Sequence, residues 1–331
     1  MEIQTRFSAS PYAGERDIQP ICDLINSCST ADGLTGESYA SPEDTRVWLS
    51  SPDILDKERD LRLWRDASGR VVGFGQMRIA SEPEDGKVDA YLYFRVHPET
   101  RNNSLEEEIL GWAAERALAV GRDMGIPAHL RTGLHLTTPE YIAYRQGLLE
   151  RHGFAPIRYG YKMERSLNEP LPEARFPEGF TLRHAEGEAD LEPWVEMCNQ
   201  TFIDHWNFHP TTVEEHKHWL SSPNYNPELD LICIASDGTF AAFAFCGFDP
   251  ADNAANNRSE GWIYELGTRR GFRKIGLGRA TLLAGMKKLK EAGVATAVLG
   301  VDAENPTGAL GLYESVGFTK VSTGVTYHKD L

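Results

Sequence analysis

Residues 265–279 read Glu265-Leu-Gly-Thr-Arg-Arg-Gly-Phe-Arg-Lys-Ile-Gly-Leu-Gly-Arg279. The stretch begins at the end of a strand, Trp262 to Leu266, and runs into a helix, Gly278 to Ala292. In that helix Leu282, Met286 and Leu289 share one face, Lys287, Lys288 and Lys290 form a solvated one, and Gly293 ends it. Between strand and helix lies Arg273-Lys274-Ile275-Gly276-Leu277-Gly278-Arg279. Glycines let a backbone approach a ligand closely and turn its N–H groups inward. A helix N-terminus adds unpaired donors and a positive dipole end, which favours a phosphate. Arg273 can add a charge-assisted bond. The same glycines would also serve a tight strand-to-helix turn with no ligand. There is no Gly-x-x-x-x-Gly-Lys run, and the spacing does not suit a dinucleotide fingerprint.

A second segment follows roughly 30 residues later, Leu299-Gly-Val-Asp-Ala-Glu-Asn-Pro-Thr-Gly-Ala-Leu-Gly-Leu-Tyr-Glu-Ser-Val-Gly-Phe318. Ala309, Leu312, Tyr313 and Val316 fall on one face of a helix expected over residues 306–316. Tyr313 is therefore either a core residue or a hydroxyl that meets a partner such as a thiolate sulfur.

The chain repeats itself. Trp48-Leu49-Ser50-Ser51-Pro52 recurs as Trp219-Leu220-Ser221-Ser222-Pro223, and Asp60-Leu61 as Asp230-Leu231. Gly69 and Phe74 match Gly238 and Phe243, Arg101 matches Arg273, and Gly153-Phe154 matches Gly317-Phe318. The order is kept while the offset drifts, as loop insertions produce. A duplicated domain of ordinary size follows, too long for a solenoid repeat. We expect domains at residues 1–168 and 180–331, joined by a linker at 169–179 that holds Pro170, Pro172, Pro177 and Gly179. In the second copy a helix is expected from Leu191 to Phe202 and strands at Asp230–Ala235, Phe240–Phe248, Ala297–Val301 and from Phe318 onward. A hairpin turn falls at Asp237-Gly238. Such an order gives an α/β fold, a mixed sheet with helices on its faces.

The 331 residues suit two domains at about 150 residues each. The formal charge of −15 argues against a nucleic-acid partner, which needs a basic face, and is compatible with a cationic substrate. Residues 1–6 have no apolar core, so no signal peptide is read there. The most apolar run, Phe240 to Phe248, is far short of the about 18 residues that span a bilayer. Cys22, Cys28, Cys198, Cys233 and Cys246 are odd in number and show no CxxC spacing, which fits a reducing cytoplasm.

Taken together, the two segments resemble the GCN5-related N-acetyltransferase superfamily. Arg273-Lys-Ile-Gly276-Leu-Gly278 matches its acyl-CoA loop, and Asn305 with Leu312-Tyr313-Glu314-Ser-Val-Gly317-Phe318 matches its later motif. The likeness is close over the second copy and loose over the whole chain. The second half resembles the mycothiol synthase-like, tandem type. The resemblance implies two tandem acyltransferase domains and an N-acetyltransferase using acetyl-CoA on a small-molecule primary amine. It calls for no metal. Leu266, Gly267 and Thr268 would hold the pantetheine arm, Arg273 to Arg279 the pyrophosphate, and Asn305 the pantetheine again. Tyr313 would be the general acid to the departing thiolate.

Many members carry a glutamate four residues before the position of Leu266, where this chain has Trp262. Glu265 is the nearest carboxylate, but strand alternation puts it on the opposite face from Trp262 unless the strand bulges. Glu265 as general base and Glu265 as an ordinary strand residue both stay open, and Glu260 is a weaker candidate. In Asp204-His-Trp-Asn-Phe-His-Pro210, the residues Asp204, His205, Trp206 and His209, with Trp262, are candidates for an amine pocket, since aromatic walls plus a carboxylate suit a cation. A helix end with packed aromatics is the alternative. A zinc site from His205, His209, His216 and His218 lacks HExxH spacing.

The first copy departs from the motif. Ser104 and Glu106 replace the loop glycines, and leucine stands where the second copy has Tyr313. We expect that copy not to catalyse and to bind acyl-CoA poorly. An acyl-CoA-binding regulator and an aminoacyl-tRNA-dependent transferase are the competing readings. The chain is expected to be a monomer or homodimer.

Overall fold

The computed structural model describes residues 7–34, 39–79, 88–101, 104–125 and 132–331. The expectations for residues 1–6 and for Asn102 and Asn103 of the first copy's loop lie outside them. The chain divides into two units, residues 1–157 with 325–331, and residues 158–324.

The first unit begins β1 (Ser8–Pro11), α1 (Glu15–Asp32), α2 (Pro42–Leu49), α3 (Lys57–Asp60), β2 (Leu61–Arg65) and β3 (Val71–Ile79). It continues β4 (Val88–Val96), α4 (Leu105–Asp123), β5 (Thr132–Pro139) and α5 (Ala143–Arg151). Strands β1 to β4 are antiparallel neighbours, and β5 joins β4 in parallel.

Then come β6 (Ala155–Ser166), β7 (Phe180–His184), α6 (Leu191–Phe202), α7 (Val213–Leu220), β8 (Asp230–Ala235) and β9 (Phe240–Gly247). After α8 (Pro250–Ala255) follow β10 (Glu260–Thr268), α9 (Leu277–Glu291), β11 (Thr296–Asp302), α10 (Ala309–Ser315) and β12 (Thr319–Asp330). In the second unit β7, β8, β9 and β10 are antiparallel neighbours, and β11 joins β10 in parallel. The order of the first unit is thus repeated. The recurring Trp-Leu-Ser-Ser-Pro closes α2 in one copy and α7 in the other.

Helix α9 buries Leu282, Met286 and Leu289 against Ile263, Ala297 and Leu299 on one face of the sheet. Helix α6 puts Trp194 and Cys198 against Ile232 and Phe243 on the other. Its sheet is therefore apolar on both faces, as helices on both sides require.

The division differs from a simple cut between copies. Each copy should end on its own last strand, β6 or β12. Instead, β6 pairs with β11 of the second unit, from Gly160 opposite Asp302 to Ser166 opposite Thr296. Residues 325–331, the end of β12, belong to the first unit. There Val325 and Tyr327 are buried in its core, and the Leu331 N–H donates to the Thr132 carbonyl of β5 at 3.0 Å. Sequence matching aligns β6 with β12 but carries no information on which sheet each enters. Residues 169–179 do lack regular structure, yet Leu171 and Ala174 pack on the second unit's core and Phe176 packs on the cluster of Cys233, Ala241, Ala242 and Leu277. The segment is a packed strap, not a loose spacer.

Candidate active site

Strands β10 and β11 pair only from Glu260 opposite Thr296 to Ile263 opposite Leu299. Both run on, to Thr268 and Asp302. β10 meanwhile stays bonded to β9 as far as Thr268 opposite Ala242. The strands therefore part, and the edge of β10 beyond Ile263 turns backbone donors and acceptors toward a gap. Backbone groups in a protein interior are as a rule satisfied, so such a gap suits an extended ligand carrying amides.

The register of β10 slips between Ile263 and Glu265, with Tyr264 the extra residue. This bulge reverses the side-chain alternation that follows it. Ile263 faces α9 with its partner Cys246, whereas Glu265 lies opposite Phe245 and reaches α6. Trp262 lies opposite Gly247, on the same side as Phe245. Glu265 is therefore on the face of Trp262, the outcome that simple alternation would forbid. The Cys198 thiol donates to Glu265 Oε2 at 3.7 Å. Burial raises the Glu265 carboxyl to about 7, against the lowering effect of the thiol and with a smaller push from Asp230. Near neutrality it is thus poised to take up or give up a proton. Glu260 sits among cations instead, with Arg258 at 3.3 Å and Lys162 at 3.6 Å.

Past Thr268 the chain turns into α9. Gly271 and Gly276 have φ of 97° and 93°, and Lys274 between them is left-handed at 65°. Gly276 is the N-cap and no side chain caps the helix. The first-turn N–H groups at 277–279 have no acceptor within the helix and sit at its positive end. A Cβ on Gly278 would come within 3.1 Å of Thr268 Oγ1, while one on Gly276 would meet open space. The loop is therefore a cradle with an open mouth, and Lys274, Ile275 and Gly276 are exposed on its rim.

Arg273 does not reach into that mouth. Its Nε donates to the Thr268 carbonyl at 3.2 Å, its Nη2 to the Thr201 carbonyl at 2.7 Å and its Nη1 to Asp204 at 2.8 Å. Arg270 takes the other oxygen of Asp204. These two arginines hold the Asp204 carboxyl below its ordinary range. Asp204, a candidate amine-binding carboxylate, is thus occupied in fastening the loop to the end of α6.

Tyr313, on α10, is buried in the α9-side core with Val316 and Phe318, and Leu266 packs on the same cluster. Its ring meets Phe318 edge-on at 6.1 Å. Burial raises its hydroxyl to about 12, so it keeps its proton at neutral pH. Asn305 spends its Oδ1 on the Thr307 N–H and hydroxyl, at 2.8 and 2.6 Å, and so shapes the turn into α10.

Among the candidate amine-pocket residues, His205 packs edge-on to Phe202 at 4.8 Å, and burial lowers its pKa. The exposed Trp206 carries the Arg158 guanidinium 5.5 Å over its ring. Arg158 grips Asp302 at the end of β11 and also Glu304. His209 is half-buried with Nε2 unpartnered among the described residues. Trp262 stacks parallel to Tyr264 and lies under Lys162. The histidines do not converge: His216 is a core residue stacked 3.8 Å from Trp194, its pKa pulled to about 4 by burial. Arg158, Asp302 and Cys198 were not singled out in the sequence. Arg158 lies in the first copy's share of the chain and reaches this site only because β6 enters the second unit.

Residues 191–318 match the family model described as Acetyltransferase (GNAT) family. A mycothiol acetyltransferase of Thermobispora bispora is 33% identical over 259 residues, covering 78% of this chain and 80% of that protein. A GCN5-related N-acetyltransferase from Sphaerobacter thermophilus superposes with a TM-score of 0.71 at 25% identity, covering 98% of this chain and 95% of that one. The chain belongs to the GNAT acetyltransferase family. A tandem GNAT protein from the clavulanic acid biosynthesis pathway has the same fold, with a TM-score of 0.70 at 14% identity and 98% of each chain covered.

This acetyltransferase carries the site geometry twice, but the first copy is altered. Strands β4 and β5 also stop pairing early, at Tyr91 opposite His135. Arg101 repeats Arg273, with its Nε on the Val96 carbonyl at 3.1 Å and its guanidinium on Asp32. Glu106, in place of the second glycine, is buried in the first turn of α4. It puts a negative charge in the first turn of the helix, where the second copy has a glycine. Leu148 and Leu149 are both buried on α5, where α10 carries Tyr313. No helix among the described residues is long and apolar enough to cross a membrane.

Proposed function

We propose that the second unit transfers an acetyl group from acetyl-CoA to the primary amine of a small molecule, within a ternary complex. The observation that carries this reading is the parted β10 and β11, with an uncapped glycine cradle at one end and the buried Tyr313 alongside. Backbone groups of Leu266 to Thr268 would bond the pantetheine arm, and the amide nitrogen of Asn305 would meet it from the α10 side. The N–H groups of residues 274–279 would receive the pyrophosphate, with Arg279 and Lys274 supplying charge. Acetyl-CoA supplies the thioester carbon that the amine attacks.

The chain's own residues do the rest. Glu265, near pH 7 half-ionised, accepts the amine proton directly or through a water. A backbone N–H at the bulge stabilises the oxyanion, and Tyr313, still protonated, supplies a proton to the leaving thiolate. Holding the reactants in line contributes up to about 7–11 kcal/mol in favourable cases. His205, Trp206, His209 and Trp262 would supply the aromatic side of the acceptor pocket, which suits a small polar amine. The name of the Thermobispora relative puts a mycothiol-related amine first in the panel to be tried. We place the working enzyme in the cytoplasm.

Calorimetric titration of acetyl-CoA into the full chain tests the donor site. One site per chain, lost in Gly276→Glu, is expected, followed by thiol release with an amine from the panel. Absence of binding at millimolar acetyl-CoA would overturn the reading. Thiol release dependent on charged tRNA would replace it with an aminoacyl transferase.

A further inference from the structure

The gap between β4 and β5 in the first unit encloses a cavity of about 290 Å³. It lies where the second copy is proposed to take pantetheine, but its chemistry is different. Phe94 occupies the place of Leu266, by the spacing that relates Arg101 to Arg273. Its carbonyl accepts from Arg95 Nη1 at 3.1 Å and from Arg145 Nη2 at 2.8 Å. Two guanidinium groups therefore cover a backbone acceptor that a pantetheine amide would need. Arg95 stacks 4.3 Å from the Tyr93 ring and Arg145 lies 5.1 Å from the Phe94 ring, and both arginines are buried.

Two further groups line this space with nothing to bond. Gln76 Nε2 and Thr138 Oγ1 have no hydrogen-bond partner among the described residues, in side chains only 1% and 2% exposed. A buried polar atom without a partner costs about 1–3 kcal/mol, so such atoms usually answer to a ligand or water. Among the described residues no aspartate or glutamate lines the cavity, while Trp48, Tyr91, Tyr93 and Phe94 give it aromatic walls. Arg78 at its edge is engaged by Asp53 at 2.9 Å, and His135 by Asp89 at 3.0 Å.

We propose that this cavity is a binding site for a small carboxylate with a flat apolar body, separate from the acetyl-transfer site. Arginine forks match the planar carboxylate. The Gln76 amide and Thr138 hydroxyl add neutral donors, and the aromatic walls take the body of the ligand. The volume is at the lower edge of the range for small-molecule sites and admits a ligand of about the size of phenylacetate. The positive lining and the covered Phe94 carbonyl both disfavour an acyl-CoA arm in the same place.

The test is calorimetry on the full chain with benzoate and phenylacetate as probes and benzyl alcohol as the uncharged control. One carboxylate site per chain is expected, with benzyl alcohol at least tenfold weaker. Arg145→Met should abolish it. Gln76→Leu, which removes an unpartnered group and should fold normally, should weaken it several-fold. In both variants acetyl-CoA binding to the second unit should persist, which also shows that the protein is folded. No binding of either acid at 10 mM, or binding indifferent to both substitutions, would overturn the proposal. So would a second acetyl-CoA site per chain that disappears in Arg145→Met, since the cavity would then be an acyl-CoA cleft. These readouts do not depend on turnover, so the proposal stands or falls apart from the assigned transfer reaction.

Discussion

Arg273 bonds Asp204 on the second unit's α6 side as Arg101 bonds Asp32 at the end of α1 in the first. In each copy the same arginine also bonds the carbonyl that ends the preceding strand, Thr268 or Val96. The pair survives in a copy whose loop has lost both glycines. Its task is therefore to fix the loop to the helix, whatever the loop then binds. Asp204→Asn should weaken acetyl-CoA binding a few-fold by loosening the cradle and leave the amine KM unchanged, the small effect expected of a part-exposed ion pair. A selective rise in the amine KM would return Asp204 to the acceptor pocket.

If Glu265 is the base, it sets an acid limb in the pH profile. Its carboxyl is raised to about 7, so the base is lost as pH falls below that value. The ratio kcat/KM should drop about tenfold per pH unit below neutrality. Glu265→Gln should remove this limb and lower kcat roughly 10²- to 10⁴-fold. The stability sign runs the other way. The folded protein holds this proton more tightly than the unfolded chain, so ionisation between about pH 4.5 and 7 lowers stability as pH rises. Thermal unfolding across that window should show the decline in the wild type and a flatter profile in the Gln variant.

Tyr313→Phe keeps the ring in its core position beside Phe318. It should reduce kcat roughly 10²-fold, with acetyl-CoA affinity and melting temperature little changed. Because the hydroxyl is raised to about 12 by burial, it should add no alkaline limb below pH 10. An unaltered kcat would leave Tyr313 a packing residue.

Two glycines separate binding from packing. A methyl group on Gly267 would overlap Thr201 and the Phe243 ring, so Gly267→Ala should destabilise the protein by about 1–3 kcal/mol. Gly276 has room for a methyl group but a left-handed backbone, which costs an ordinary residue about 1–2 kcal/mol. Gly276→Ala should therefore reduce acetyl-CoA affinity more than Gly267→Ala does at matched stability, as calorimetry alongside thermal melts would show.

Deletion of residues 325–331 should unfold the first unit before the second. It removes two buried side chains, Val325 and Tyr327, at about 1.5–3 kcal/mol each, and strips the ladder from β5. A fragment ending at residue 170 lacks the same strand. Its failure to acetylate would therefore test folding before it tests chemistry, and the added peptide 319–331 is the proper control.

Local pattern carried most of the secondary structure. The helix at Leu191–Phe202 and the strand at Asp230–Ala235 lie where the residues place them, and α9 and β11 differ by one residue at each end. Leu282, Met286 and Leu289 fall on the buried face of α9 as their spacing requires. What the sequence concealed was non-local. The bulge at Tyr264 has no marker of its own, because Ile263-Tyr264-Glu265 reads as plain strand. Asp204 beside aromatics reads as a cation site until Arg270 and Arg273 arrive from 66 and 69 residues away. Arg158 could not be joined to Asp302 while β6 was counted with the first domain.

The placement of residues 325–331 has a consequence for synthesis. Strand β5 leaves the ribosome well before residues 325–331, which bond at its edge, because the whole of residues 158–324 is made between them. At about 5–20 residues per second, the intervening stretch takes roughly ten to forty seconds to translate. For that time the nascent first unit presents an open strand edge, the feature that recruits stray chains. The unit begun first is thus completed only after the other, and a chain interrupted before residue 325 would leave it unfinished while residues 158–324 are all present.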